Sequence, residues 1–370
     1  MRADWGIKAF DACIEKRKAP TKLLSSSYQE KGLYPIVSQE KDLISGYWDN
    51  PDDLFVHRKP VVVFGDHTMV VKYIDFDFVV GADGVKILEP KGFLLPKYFF
   101  YWVSSVHIKS RGYARHFRYL REASVPVPSL PEQQRIVDIL DREFAKIDAL
   151  KANTEKSLQA AKDLFLQILT ETFSNPDWTR KRIGDVFDTG AGGTPLKTYK
   201  EYYDNGDIPW LRSGEVCKKY ITETEMFITQ LGMNNSSAKM FPENSVVVAM
   251  YGATAGQVGI LHLETTTNQA VCGIFPRKDY IPEFVYYSLL NSKKGLVAQA
   301  TGNAQPNISQ IKIKNTTIPV ISKDKQVAVV SRLDDLNDLC NALQENYHKT
   351  LTLCDDLKQS LLRKAFNGEL

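Results

Sequence analysis

The chain has 370 residues, 43% of them hydrophobic and 25% charged, a composition typical of a globular protein with two or three domains. Its net charge of +3 neither requires nor excludes a nucleic-acid partner. No apolar run reaches the length of a membrane span, and the first residues contain no hydrophobic signal region, so we expect no membrane partner. Five scattered cysteines without a CxxC pair favour buried thiols in a reducing cytoplasm.

Residues 1–130 read as a first globular domain. Short β-rich runs such as PVVVFGD and DFVVGADG are separated by turn residues, and a helix is predicted from Pro96, where proline suits the first helical position. His67 lies in the turn Gly65-Asp-His-Thr68, where a hydrogen-bonded loop histidine is a simpler interpretation than a catalytic one.

A long helix is predicted over residues 131–174 and a second over 322–370, because neither contains glycine or proline in its interior. Moving the sequence by 193 positions superimposes residues 140–173 on 333–366 without a gap. Eleven of these 34 positions are identical, including Leu140/Leu333, Asp141/Asp334 and Phe173/Phe366, whereas chance would give about two or three. An internal repeat of this kind predicts the architecture of the chain and does not by itself predict its function.

Apolar residues of the second helix recur with alternating steps of three and four, which predicts a heptad seam, and the first helix follows the same register with interruptions at Glu143, Thr154 and Ser157. The predicted seam residues are Leu140, Ile147, Leu150 and Leu164 in the first helix and Leu336, Leu343, Leu357 and Leu361 in the second. Two similar seams in one chain predict an intramolecular coiled coil, whose direction the spacing leaves open. The alternative is that each helix packs only on its own globular neighbour.

Residues 175–321 read as a second globular domain that repeats the first more distantly. DWTRKRIGDVFD corresponds to DWGIKAFDACIE, and SVVVAMYGAT corresponds to PVVVFGDHT. The offset grows from 173 to 193 along the domain, so the second copy carries 20 additional residues in its loops. Similar helices with divergent globules predict a fixed frame that holds two different recognition domains.

Basic tracts without acidic residues occur at equivalent places in both halves, residues 91–121 and 284–323, and the first is interleaved with aromatics. Such tracts favour contact with phosphates, although a plain solvated face is the simpler alternative. The candidate DNA-binding residues are His67, Lys72, Lys109, Arg111, Arg115, Arg118, Arg121, Arg212, Lys218, Lys293, Lys294, Lys312 and Lys314.

Motifs for catalysis are missing from the sequence. The run Gly190-Ala-Gly-Gly-Thr-Pro lacks the glycine that precedes lysine in a phosphate-binding loop, and the histidines show no metal-ligand spacing. The sequence therefore predicts a protein that binds without catalysing, with no metal and no cofactor of its own. Two alternatives remain open: an enzyme that acts on DNA by itself, without partner subunits, and a coiled-coil scaffold that binds proteins and not DNA.

The order globule, helix, globule, helix resembles the specificity subunits of type I restriction–modification systems. The resemblance covers essentially the whole chain, and its most specific segments are VPSLPEQQRI at residues 127–136 and LLRKAFNGEL at 361–370. GTP at 193–195, GDIPWLRSG at 206–214, TNQ at 267–269 and FGDHT at 64–68 are also similar to recurring family patterns.

The resemblance implies an α+β fold in which two mixed α/β target recognition domains are separated by two helices that form an antiparallel coiled coil with pseudo-twofold symmetry. It implies that each domain reads half of a split site in double-stranded DNA and that the helices set the spacer. It also implies docking of two methyltransferase subunits and of restriction subunits, which carry S-adenosylmethionine, ATP and Mg²⁺. The candidate docking residues are Glu132, Gln133, Arg135 and Gln326; Pro131 and Glu132 have no counterpart at the start of the second helix, which reads Ser322-Lys-Asp-Lys-Gln326.

Overall fold

The computed structural model describes residues 5–17, 21–109, 112, 114–298 and 307–370. The chain divides into two compact units, which we call unit 1 (residues 1–156 and 347–370) and unit 2 (residues 157–346). None of the helices within the described ranges is long and apolar enough to cross a membrane.

The elements up to the first long helix follow in chain order. They are β1 Gly6–Ala9, α1 Phe10–Cys13, β2 Lys22–Leu23, β3 Tyr34–Val37, β4 Gly46–Trp48, β5 Leu54–Phe55, β6 Val61–Gly65, β7 Val71–Ile74, β8 Phe78–Gly81, β9 Val85–Leu88, α2 Pro96–Ser105, α3 Phe117–Arg121, β10 Ser124–Val127 and α4 Leu130–Phe173.

The elements after α4 repeat much of this order. They are β11 Arg180–Arg182, α5 Ile183–Val186, β12 Thr189–Ala191, β13 Ile208–Leu211, β14 Tyr220–Ile221, β15 Phe227–Ile228, α6 Gln230–Asn234, β16 Met240–Phe241, β17 Val246–Ala249, β18 Val258–Leu261, β19 Thr265–Thr267, β20 Val271–Ile274, α7 Pro282–Ala298, α8 Gln310–Asn315, β21 Thr317–Pro319 and α9 Lys323–Asn367.

Unit 1 contains a two-stranded sheet of β1 and β10 and two larger sheets that are built around continuous β-branched runs. One of the larger sheets has the order β2-β8-β3-β4, with β5 also pairing β8, and the other has the order β7-β6-β9. Strands β3 and β8 are parallel, with Ile36 opposite Val79, whereas β6 is antiparallel to both of its neighbours. Runs such as Val61–Gly65 are buried along their whole length, as expected for strands covered on both faces.

Unit 2 repeats these relationships with other residues. Strands β11 and β21 form a two-stranded sheet, and the two larger sheets have the orders β12-β20-β17-β18-β14 and β15-β13-β19-β16. Strands β13 and β19 are parallel, with Trp210 opposite Thr266, and β17 is antiparallel to β18 and β20. The domain repeat that was predicted from sequence is therefore also a repeat of strand pairing.

Within unit 1 the first part of α4 and the last part of α9 share one core. Ile136, Leu140, Leu362 and Phe366 are buried in the same cluster as the aromatic side chains of α2. Lys151 Nζ lies 2.8 Å from Asp355 Oδ1, and Lys358 forms an ion pair with Asp148. Advancing along α4 from 148 to 151 moves back along α9 from 358 to 355, so the helices are antiparallel here.

The long-helix pairing is confirmed, but three of the eight predicted seam residues are wrong by one position. Leu150, Leu164 and Leu357 are 50%, 44% and 50% exposed. Leu336, Leu343 and Leu361 are half-buried, whereas Leu140 and Ile147 are buried as predicted. The less exposed positions are Leu140, Phe144, Ile147, Lys151, Thr154, Leu158, Ala161, Phe165 and Ile168 in α4, and their equivalents 193 residues later in α9.

The error has a physical cause. Apolar content alone predicts the seam positions, whereas the observed seam also includes polar residues with long aliphatic stems. Lys358 occupies such a position, with its stem half-buried, its ammonium 5.2 Å from the centroid of Phe144 and its charge on Asp148. Leucines beside the seam are then left on the surface.

Candidate nucleic-acid interface

Four loops of unit 1 meet at the carboxyl ends of β3, β6 and β8, and we call them loop cluster 1 (residues 38–40, 65–68, 82–84 and 114–118). Gln39 is buried; its side-chain oxygen accepts from His67 N at 3.2 Å and its backbone oxygen accepts from Thr68 Oγ1 at 2.6 Å. Asp66 N donates to Gly84 O at 2.8 Å. These contacts fix the turn around His67 to the two neighbouring loops.

Asp66 also holds the basic segment that follows α2. Its buried carboxylate accepts from Phe117 N at 2.9 Å, and its backbone oxygen accepts from His116 N at 2.8 Å. Lys86 Nζ lies 3.6 Å from the second carboxylate oxygen. One aspartate therefore starts α3 and orients the side chains on it. Sequence reasoning named its neighbour His67 and missed Asp66.

The basic candidates of unit 1 separate into three groups. Lys109, Arg115 and Arg118 are exposed, and the guanidinium of Arg118 lies 4.5 Å from the ring centroid of Tyr119. Arg121 is exposed but forms an ion pair with Asp11, and hydrogen bonding to Arg121 lowers the pKa of that carboxyl. Arg111 lies outside the described residues.

Lys72 and His67 are placed differently from the exposed arginines. Lys72 is buried, its Nζ donates to Ser38 O at 2.9 Å, and burial lowers its pKa. We correct its assignment as a DNA contact, because a buried ammonium that is used by backbone carbonyls offers no surface to a phosphate. His67 is half-buried in loop cluster 1, with Nδ1 3.2 Å from Ala114 O.

Unit 2 has a similar group of loops that we call loop cluster 2 (residues 192–195, 212–215, 251–256 and 268–270); the last three follow β13, β17 and β19, the equivalents of β3, β6 and β8, and the first follows β12. Thr254 Oγ1 donates to Ser213 O at 3.0 Å, as Thr68 does to Gln39 O in unit 1. Trp210 Nε1 donates to Gly193 O at 3.0 Å, and Gly193 N donates to Thr267 O at 2.8 Å. Beside these loops lies a cleft of about 840 Å³ lined by Arg212, Lys218, Tyr220 and Asn268, among others.

The basic candidates of unit 2 do not form one patch. Arg212 is half-buried and forms ion pairs with Glu215 and Glu225, and Lys218 is exposed on the same cleft. Lys293 lies next to loop cluster 2, with its Cγ beside Gly256 and its Nζ 3.0 Å from Gln257 Oε1, whereas Lys294 lines a groove with residues of α4. Lys312 is half-buried and Lys314 is exposed, both on α8. We therefore correct the idea of a second continuous basic tract: several elements separate these residues.

Two of the predicted docking residues are structural. Gln133 is fully buried; its Oε1 accepts from Leu95 N at 2.8 Å, and its Nε2 donates to Phe93 O and Pro128 O. Gln326 makes the same three bonds, with Ile281 N, Asp279 O and Ile321 O. We call these the glutamine latches. The prediction that Gln133 and Gln326 contact a partner is therefore wrong, because a side chain with no exposed surface and satisfied polar atoms is unavailable to a partner.

The other docking candidates lie on the surface at the start of α4. Arg135 Nε is 2.8 Å from Glu132 Oε2, and Arg135 Nη2 donates to Leu370 O at 2.7 Å. Their equivalents 193 residues later are Lys325 and Ala328, which cannot form this ion pair. No group of His, Cys, Asp and Glu side chains in the part of the chain that the structure describes could hold a metal ion.

Residues 4–160 and 175–353 match the family model of the type I restriction modification DNA specificity domain. The chain belongs to this family. The two matches correspond to the two copies of the repeat, and the family function is recognition of the DNA sequence on which a type I restriction–modification system acts.

Relatives along the whole chain agree with this assignment. The chain is 26% identical to the type I restriction enzyme EcoR124I/EcoR124II specificity subunit of Escherichia coli, over 92% of this chain and 89% of the relative. It is 24% identical to the EcoBI specificity subunit of Escherichia coli, over 88% and 75%.

Two solved structures share the fold. One comes from a study of complex assembly and conformational transition of the type I R-M system, with a TM-score of 0.74 and 16% identity over 100% of this chain and 99% of that chain. The other is the HsdS subunit from Thermoanaerobacter tengcongensis, with a TM-score of 0.58 and 17% identity over 100% and 98%. At these identities the likeness concerns the fold alone.

Proposed function

We propose that each unit reads one half of an asymmetric, interrupted DNA site. The observation that carries the proposal is that one frame holds two unlike surfaces. The glutamine latches and the threonine ties of Thr68 and Thr254 recur at equivalent places, whereas the exposed side chains of loop clusters 1 and 2 differ. Different side chains on equivalent loops suit different base sequences.

We further propose that the helix pair sets the number of base pairs between the two halves. Helices α4 and α9 have 44 and 45 residues, and each contributes residues to both units. At 1.5 Å per residue each helix is about 65 Å long, enough to span more than one turn of duplex. A stiff helix pair is a suitable spacer because neither member has glycine or proline in its interior.

The same proposal assigns the chemistry to partner subunits. We infer that two methyltransferase subunits, which use S-adenosylmethionine, dock near the starts of α4 and α9, and that restriction subunits supply ATP- and Mg²⁺-dependent cleavage in the cytoplasm. The exposed Glu132–Arg135 pair is the candidate contact at the first end. Its absence from the second end supports unequal affinities for the two methyltransferase subunits.

The first test measures the affinity of the complete complex for its DNA at several salt concentrations. Changing Arg115 and Arg118 to Ala should weaken binding to all sequences and reduce the slope of log K against log salt by about one for each lost phosphate contact. The recognised bases should not change. Arg121→Ala is the matched control, because Asp11 already engages that guanidinium.

Two results would contradict the proposed role of these arginines. Unchanged affinity in the double variant would remove them from the interface. A changed methylation motif would make them base readers instead of backbone contacts. Binding that is independent of salt would contradict DNA recognition by the whole chain.

The second test inserts one heptad into each helix, after Asn153 and after Asn346. Both sites are exposed and are 193 residues apart, so the seam continues across the insertions. Seven residues add about 10 Å, which should lengthen the spacer by about three base pairs while both half-sites are retained. Methylation sequencing of cells with each version measures this directly. An unchanged spacer in a folded, active complex would exclude the spacer role.

A further inference from the structure

A groove of about 520 Å³ lies beside loop cluster 1, and nothing in the proposed function uses it. Its floor is apolar and comes from β8, β9 and the rings of Phe55 and Phe117. Its rim carries Lys16, Arg17 and Lys22 together with Lys86. A concave apolar surface with a few convergent polar groups is the usual form of a small-ligand site.

The groove exists because one edge of β9 is not covered by a strand in the described residues. In unit 2 the equivalent strand is β20, which pairs with β17 on one side and with β12 on the other. In unit 1 the chain follows the same path only as far as Glu15 N, which donates to Glu89 O at 2.8 Å. Among the described residues no strand corresponds to β12, and the groove lies at this edge of β9.

The charge of the groove favours an anion. Four cationic side chains line it against two carboxylates, Glu15 and Glu89, and Lys86 Nζ also lies 3.6 Å from the carboxylate of Asp66, which leaves a surplus of one positive charge. Arg17 is paired with Glu89 at 2.6 Å. Lys22 donates to Val85 O at 3.1 Å, and its pKa is lowered first by burial and then by the charge of Lys86. A bound anion would relieve this repulsion.

The aromatic side chains favour a planar group next to that anion. The guanidinium of Arg17 lies 5.8 Å from the centroid of Phe55, and Lys86 Nζ lies 5.5 Å from that of Phe117, so each ring lies beside a cation. Sequence-tolerant nucleotide sites combine stacking faces with nearby positive charge in the same way. An extended peptide could pair with the open edge of β9, but it would not use the charge.

We propose that this groove binds one nucleotide unit, with the base on the apolar floor and the phosphate between Lys22 and Lys86. The groove is continuous with loop cluster 1, because Val85 follows Gly84 and Phe117 belongs to residues 114–118. The nucleotide has two candidate sources: a nucleotide swung out of the bound duplex, or a free mononucleotide. Only the first source rests on the proposed function. Extruding a base costs stacking and pairing free energy, which contacts in such a groove can offset.

The experiment has two arms. In the first, the complete complex binds duplexes in which 2-aminopurine replaces each base of the site in turn; fluorescence should rise several-fold at one position in the half read by unit 1. In the second, saturation-transfer NMR tests the full chain with dAMP and dTMP. Lys22→Met should weaken either signal about tenfold, since it removes a charged phosphate contact. Lys31→Met, an exposed lysine outside the groove, should not.

Each result decides the proposal. A brightened position that is lost in Lys22→Met assigns the groove to an extruded nucleotide, and mononucleotide binding without brightening assigns it to a free one. If the duplex binds with steep salt dependence but neither signal appears, the groove proposal is wrong and the proposed function stands. If the duplex does not bind, the proposed function fails, and the NMR arm alone decides the groove. Binding of inorganic phosphate with no saturation transfer to base protons would overturn the nucleotide assignment.

Discussion

Units 1 and 2 are most alike where a globular domain meets a long helix and least alike in loop clusters 1 and 2. Gln133 and Gln326 make the same three hydrogen bonds with equivalent backbone groups. Asp141 and Asp334 each accept from a tyrosine hydroxyl, of Tyr101 and Tyr287. These contacts are buried or half-buried, and they keep the helix fixed to the domain.

The loops differ even where their supports are equivalent. Strand β12 closes the edge of β20 in unit 2, whereas the corresponding edge of β9 in unit 1 borders a groove. The lysine that joins the carboxylate–tyrosine pair also differs: Lys97 belongs to α2 in unit 1, whereas Lys219 comes from the loop before β14 in unit 2. The attachment to the helices is therefore repeated in both units, whereas the recognition surfaces are free to diverge.

Removing a glutamine latch should have the largest effect on this comparison. Gln133→Ala leaves a buried N–H and two buried carbonyls without partners, so we expect the free energy of unfolding to fall by roughly 3 kcal/mol. Gln326→Ala should cost a similar amount. Urea unfolding, with hydrogen exchange to locate the affected unit, measures both.

Gln134→Ala is the control for the latches, because Gln134 is exposed and bonds only Asp138 of the same helix. It should change stability by less than about 0.5 kcal/mol. A large loss in Gln133→Ala with none in Gln326→Ala would show that the two attachments are alike in geometry and unlike in energy.

The latches also show how far the sequence could lead. The repeat predicted the two long helices, the two domains and the pairing of the helices, because identities at one fixed offset reflect contacts that both copies keep. Gln326 was noted as the retained equivalent of Gln133, but we interpreted it as a docking residue. A polar residue that is kept in both copies while Glu132 and Arg135 change is better explained by burial with satisfied hydrogen bonds.

The recognition surfaces were much less predictable. Basic residues that are close in sequence need not form one surface patch. Lys293, Lys294 and Lys314 each have different neighbours in the fold. The importance of Asp66 and Gln39 depends on loops that are distant in sequence and meet only in the fold. The seam error at Leu150 and Leu357 has a related cause, since hydropathy does not register the buried stem of a charged residue such as Lys358.

A smaller effect distinguishes the two lysines. Lys219 and Lys97 both contact the carboxylate–tyrosine pair, but the side chain of Lys219 is 19% exposed and that of Lys97 is 41% exposed. Lys219 Nζ also lies 5.1 Å, 5.9 Å and 4.8 Å from the ring centroids of Tyr220, Tyr286 and Tyr287. We expect Lys219→Met to cost about 1–2 kcal/mol of stability and Lys97→Met less than about 1 kcal/mol.

The difference matters because Lys219 adjoins Lys218 and Tyr220, which line the cleft of loop cluster 2. In unit 2, therefore, the contact to α9 and the lining of the cleft share one short segment, whereas Lys97 reaches Asp141 from within a helix. Lys219→Met should thus also increase hydrogen exchange in the loop around residue 219, and Lys97→Met should leave loop cluster 1 unchanged. Lys218→Met, an exposed neighbour, is the control. Equal costs for Lys219→Met and Lys97→Met, with no change in exchange, would mean that the surrounding tyrosines add nothing and that the two attachments are equivalent.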